Sequence, residues 1–112
     1  MNTTKNELLA NKIKDFLEKR TLGSDTRIFF NGTCYDWNSE ENEFVLLKNM
    51  KASHYFEGAD DNSVNMTFEG NFYSVIHRHF GDATAEAFEE MLKEEGFYFD
   101  FHDAWNLTLF EI

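Results

Sequence analysis

The chain has 112 residues, enough for one domain with a single modest core, and its 42% hydrophobic and 17% aromatic content excludes the disordered class, which pairs charge with few aromatics. Its net charge of −11 is unevenly placed: residues 1–27 hold six of the ten basic residues and only four acids (Glu7, Asp15, Glu18, Asp25), whereas from Ile28 onward seventeen acids face four bases (Lys48, Lys51, Arg78, Lys93). Such a field repels nucleic acid, anionic lipid and phosphorylated substrates, and it attracts basic protein grooves.

Thr4-Lys5-Asn6-Glu7 reads as a capping box that opens a helix. Leu9, Ile13, Phe16, Leu17 and Arg20 then recur at helical spacing with Leu8 beside them, and Lys12, Lys14, Asp15 and Lys19 occupy the other face. A stop is expected near Leu22-Gly23, where glycine ends the helix.

Arg27-Ile28-Phe29-Phe30 and Thr33-Cys34-Tyr35-Asp36-Trp37 flank Asn31-Gly32, a pair that tolerates positive φ at both turn positions and so predicts a hairpin with a type I′ turn. Glu43 to Lys48 continues as a third strand of a meander. Asn49 to Phe56 reads equally as a short helix or an irregular crossing, and Glu57 to Asn62 as a polar turn. Ser63 to Glu69 alternates, with Val64, Met66 and Phe68 on one side, as a half-buried strand does. Gly70-Asn71 leads into a helix bearing Phe72, Val75, Ile76 and His79, which breaks at Phe80-Gly81. Asp82 is the expected cap of a helix from Ala83 to Glu95, with Phe88, Met91 and Leu92 inward and a stop at Gly96. Phe97 to Phe101 and Trp105 to Ile112 alternate across a short turn, which places Phe97, Phe99, Phe101, Trp105, Leu107 and Leu109 in the core. The order predicts an α+β domain: an N-terminal helix, a mostly antiparallel sheet of five to six strands, and two further helices between strands.

Cys34 is the only cysteine, so no internal disulfide forms. The chain opens without a basic, then apolar, leader, and no apolar run approaches the ~20 residues of a membrane span. A cytoplasmic location in a host cell is the expectation, with no membrane contact. A lone cysteine beside Tyr35 in a hairpin reads as a small core residue rather than a nucleophile. His77 and His79, two apart on a helix, point to different faces and lack the i,i+4 spacing of zinc-binding helices. His79 is expected beside Phe80, and His77 toward solvent. Asp60-Asp61-Asn62-Ser63 departs from a calcium loop, because Val64 stands where an oxygen ligand belongs and Asn65 where the loop needs glycine. No cofactor and no metal are therefore expected, and no catalytic motif is present.

The sharpest candidate is the Ala83–Glu95 helix. At 100° per residue Glu86, Glu90 and Glu94 form one stripe with Glu89 beside it, successive members ~6 Å apart along the axis. A row of carboxylates at that pitch stands in for backbone phosphates in a protein's nucleic-acid groove; as a plain solvated face it would be an ordinary feature of an acidic protein. Lys93 is the only base on the helix. Glu57, Asp60 and Asp61 form a second acidic cluster, and Glu40, Glu41 and Glu43 a third. Aromatics on the last strands have Asp100, Asp103 and Glu95 as neighbours, which disfavours direct binding of nucleic acid.

Arg27-Ile28-Phe29-Phe30-Asn31-Gly32, Lys51-Ala52-Ser53-His54-Tyr55-Phe56-Glu57 and Val64-Asn65-Met66-Thr67-Phe68-Glu69-Gly70 resemble small proteins carried by phages and conjugative elements. In size and acidity the chain also resembles anti-CRISPR and antirestriction proteins, several of which are DNA mimics. The resemblance implies a non-enzymatic inhibitor of a basic nucleic-acid-handling defence protein. A CRISPR effector nuclease such as Cas9, whose channels are lined with Arg and Lys, is the first expected partner, and a restriction enzyme the second. Glu86, Glu89, Glu90 and Glu94, aided by Glu57, Asp60 and Asp61, are the expected contact residues. The alternative is an adaptor that docks through aromatic side chains, with the acidity serving solubility. The basic first helix also suits a homodimer formed against the protein's own acidic face.

Overall fold

A computed structural model describes residues 4–112. In chain order its elements are α1 (Lys5–Lys19), β1 (Thr26–Phe30), β2 (Thr33–Asn38), β3 (Glu43–Lys48), a 3₁₀ turn (Ala52–His54), β4 (Val64–Phe68), α2 (Asn71–Ile76), α3 (Ala83–Glu94), β5 (Phe97–Asp103) and β6 (Asn106–Glu111). The strands form one six-stranded sheet, order β3-β2-β1-β4-β6-β5, in which every neighbouring pair is antiparallel. This is an α+β fold with the expected N-terminal helix and two further helices between strands.

Local chemistry explains most boundaries. Thr4 caps α1 by accepting the Glu7 backbone N–H at 3.1 Å. The Asn31-Gly32 turn has φ of 51° and 72°, as a type I′ hairpin requires, and Gly96 ends α3 at φ 87°. Three expected helix signals are corrected. α2 ends at Ile76 with His77 as its C-cap, short of the expected break at Phe80-Gly81, so His79 lies outside it. Gly23 does not stop α1: the helix ends at Lys19, and Thr21, at φ 56°, supplies the left-handed residue. The Leu22 N–H then reaches back to the Leu17 carbonyl at 2.8 Å and the Thr21 N–H to Glu18 at 3.2 Å, a Schellman closure without glycine. Asp82 precedes α3 but its side chain makes no capping bond; Arg78 Nη1 holds it at 3.2 Å instead.

Strand alternation divides the core between two faces. On one face α1, α2 and α3 cover Ile28, Phe30, Met66, Phe68, Leu107 and Leu109. Phe88 sits at the centre of that layer, 5.3 Å from the Phe16 ring and 5.0 Å from Phe72, both edge to face, a favoured aromatic geometry. On the other face the segment after β3 lays Ala52 and Phe56 over Phe29 and Cys34. The strand-end aromatics depart from expectation. Trp105 stands just before β6 and packs with this second cluster, its ring 6.1 Å from Phe56. Phe101, at the rim of the helical layer, is 42% exposed. His77 does not face open solvent: its Nε2 lies 2.6 Å from the Ala104 carbonyl and its ring stacks on Phe101 at 5.0 Å. His79 neighbours Tyr73 at 5.8 Å, while Phe80 is 86% exposed.

Candidate functional site

α3 presents two unlike faces because its apolar residues recur at i, i+3 and i+7. Ala85, Phe88 and Leu92 are buried against the sheet, so Glu86, Glu89, Glu90 and Glu94 all project outward and are exposed. The stripe is therefore a physical surface. It is not uniform. Arg78, held in a left-handed conformation after α2 (φ 61°), bonds Glu89 through Nη2 and Asp82 through Nη1. Glu89 is thereby partly neutralised, while Glu86, Glu90 and Glu94 make no ion pair among the described residues. Three free carboxylates on successive turns remain.

The second cluster is built differently. Asp61 accepts from Ser53 Oγ at 2.5 Å and from the Ser53 backbone N–H at 3.1 Å, and these bonds hold its carboxyl below the ordinary carboxylate range. Asp60 accepts from the Asn62 N–H at 2.9 Å and from Ser63 Oγ at 3.0 Å. Buried Asn65 ties this loop to the sheet, donating to the Asp60 carbonyl at 2.8 Å and accepting from Thr108 Oγ1 at 2.6 Å. Thr108 has one hydroxyl proton and gives it to Asn65, so the His102 Nε2 found 2.8 Å away donates. Asp60 and Asp61 thus fasten the loop, and of this cluster Glu57 is the exposed acid without a hydrogen bond among the described residues. This loop covers the face carrying Phe29 and Cys34, and α3 the face carrying Phe30. The structure does not bring the two clusters together.

Cys34 lies in the hairpin core with no exposed surface. Burial, reinforced by the Asp36 carboxylate, pushes its thiol up to about 12, which leaves almost no thiolate at neutral pH. The lysines of α1 are largely engaged within the molecule: Lys5 with Glu111 at 3.0 Å, Lys12 with Glu95 at 3.7 Å, and Lys14 with Glu18 at 3.4 Å. Burial works against the Lys14 charge, but Glu18 and Asp15 outweigh it and raise its pKa. Sequence reasoning missed Arg78 as the counter-ion of Glu89, a pairing across the α2–α3 turn. It also missed the Arg27–Asp36 pair, 3.2 Å apart on neighbouring strands, although counting outward from Asn31-Gly32 sets these two residues opposite each other.

No helix among the described residues is long and apolar enough to cross a membrane. Comparison of the chain with protein-family models, curated proteins and solved structures gives no match.

Proposed function

We propose that the protein is a non-enzymatic inhibitor that occupies a basic nucleic-acid groove of a defence nuclease, acting in the cytoplasm of the host cell. A CRISPR effector such as Cas9 is the preferred target and a restriction enzyme the second. The observation that carries this reading is the outer face of α3, where Glu86, Glu90 and Glu94 stand exposed and without counter-ions among the described residues. An acidic face of this kind suits arginines and lysines that otherwise hold phosphates. Glu89 takes a smaller share because Arg78 already holds it. Glu57 lies across the sheet, and Asp60 and Asp61 serve the loop, so this cluster stands outside the α3 contact. Long-range attraction would speed association and make it salt-sensitive.

The adaptor reading has one specific feature in its favour, Phe80, 86% exposed on the turn between α2 and α3. One experiment separates the two: binding to a purified RNA-guided nuclease and to a restriction enzyme, with and without competing duplex DNA, at low and high salt. Mimicry requires that DNA and inhibitor exclude each other and that Glu86→Lys with Glu90→Lys weaken binding by ~100-fold or more while the circular dichroism spectrum stays native. Unchanged binding by that variant removes α3 as the contact. Loss on Phe80→Ala instead would install the adaptor.

A further inference from the structure

Both tryptophans of the chain, Trp37 and Trp105, border a single groove of about 320 Å³. Its floor is a cross-strand row on the sheet face away from α3: Asp36 of β2 opposite Arg27 of β1, and Arg27 opposite Thr67 of β4. Tyr55 stands over Arg27 from the segment after the 3₁₀ turn, its ring 5.2 Å from the guanidinium carbon. Asp25 and Glu69 close the end of the groove, brought together where the Glu69 backbone N–H donates to the Asp25 carbonyl at 3.1 Å. The volume falls at the lower end of the range for small-ligand sites.

The charge balance selects the ligand. Three carboxylates and one guanidinium line the groove. Arg27 is already engaged, with Nε on Asp36 Oδ1 at 3.2 Å. Asp25 and Glu69 make no ion pair among the described residues. An entering anion meets a cation whose charge is cancelled and two free carboxylates. An entering cation meets those carboxylates and the aromatic side chains of Tyr55 and Trp105, a residue class suited to holding it. A planar guanidinium uses both, stacking on a ring while donating in its plane to carboxylates; an ammonium cannot do this as well. The molecule already uses such stacking, with the Arg20 guanidinium 3.7 Å from the Phe16 ring centre.

We propose that this groove binds an arginine side chain of a basic partner protein. The inference does not depend on α3, which lies across the sheet, and it gives a basic partner a second point of attachment.

Because both tryptophans border the groove, intrinsic fluorescence reports on it directly. The probes are N-acetyl-arginine amide, its neutral citrulline counterpart, free arginine, and a short peptide with one arginine among neutral residues. The arginine amide should produce a saturable change with a Kd on the order of millimolar, the peptide should bind at least as tightly, and the citrulline compound should give no change. Asp25→Asn with Glu69→Gln should raise the Kd by roughly tenfold; asparagine tolerates the left-handed backbone of Asp25 (φ 51°), so an unchanged melting curve accompanies the loss. Glu86→Lys with Glu90→Lys should leave the titration as it was, so failure of the α3 contact and failure of the groove are read separately. No saturation up to about 20 mM, an equal response to citrulline, or an unaffected double variant overturns the proposal. Tighter binding of free arginine than of the peptide would also overturn it, making the groove a small-molecule site.

Discussion

The Trp37 indole lies so close to the α-carbon of Gly23 that a Cβ there would stand 2.4 Å from Trp37 Cε3 and 2.6 Å from Cζ3. Gly23 is buried, and Phe44, edge to face with Trp37 at 5.2 Å, would itself stand 3.0 Å from that Cβ through Cε2. Both rings would have to give way. Glycine is required here by space, and the end of β2 docks on the α1–β1 connection through this contact.

Gly23→Ala should therefore destabilise the domain by about 1–3 kcal/mol, the usual cost of overpacking. A fall in Tm of roughly 5–15 °C follows for a domain of this size. Thermal melts followed by circular dichroism measure it directly. A Tm equal to the parent's would mean that Trp37 moves freely.

Cys34 offers a chemical probe of the hairpin core. With its thiol pushed up to about 12 and no exposed surface, it should be inert to a chromogenic disulfide reagent at neutral pH. Reaction should proceed only as fast as the molecule opens, so its rate should rise with denaturant in step with unfolding. Rapid labelling of the native protein would contradict the burial.

The Asp61–Ser53 pair fixes a pH dependence. Ser53 holds the folded Asp61 carboxyl below the 3.8 of an unperturbed aspartate. The stabilisation is fully present above the unfolded value and is lost as pH falls through the folded one. Ser53→Ala removes the hydroxyl donor but keeps the backbone N–H. It should raise the Asp61 pKa part of the way toward 3.8 in a carboxyl NMR titration and leave the native fold intact. An unmoved titration would show that the backbone bond alone sets the shift.

The features legible in the sequence were those fixed by near neighbours. Asn31-Gly32 announced its own turn, Thr4 its cap, and the alternation of Val64, Met66 and Phe68 its strand, because each rests on φ/ψ preference or on side-chain period. Long-range geometry was less visible. Nothing local says that β4 leaves the meander to lie between β1 and β6. The helix stop moved from Gly23 to Thr21 because Schellman hydrogen bonds carry a non-glycine residue into the left-handed region, while packing claims Gly23. Trp105 alternates in register with Leu107 yet joins the opposite cluster, because the strand begins one residue later, at Asn106. At the candidate site, helical period gave the outward direction of Glu86, Glu90 and Glu94. The neutralisation of Glu89 and the employment of Asp60 and Asp61 depend on tertiary partners that no spacing rule reveals.

The sheet order also shapes how this molecule assembles. β1, β2 and β3 join through short connections, and so do β5 and β6, giving two nuclei whose contacts are local and whose closure entropy is small. β4 belongs to neither. Met66 pairs with Ile28 on one side and Leu107 on the other, each about 40 residues away, so this one strand joins the two locally connected pieces through contacts of long sequence separation. Its arrival is the slow, high-contact-order event of the chain's search. Until then the open flanks of β1 and β6 are unpaired strand edges, vulnerable to a second copy of the same chain. The net charge of −11 keeps those unfinished copies apart through like-charge repulsion.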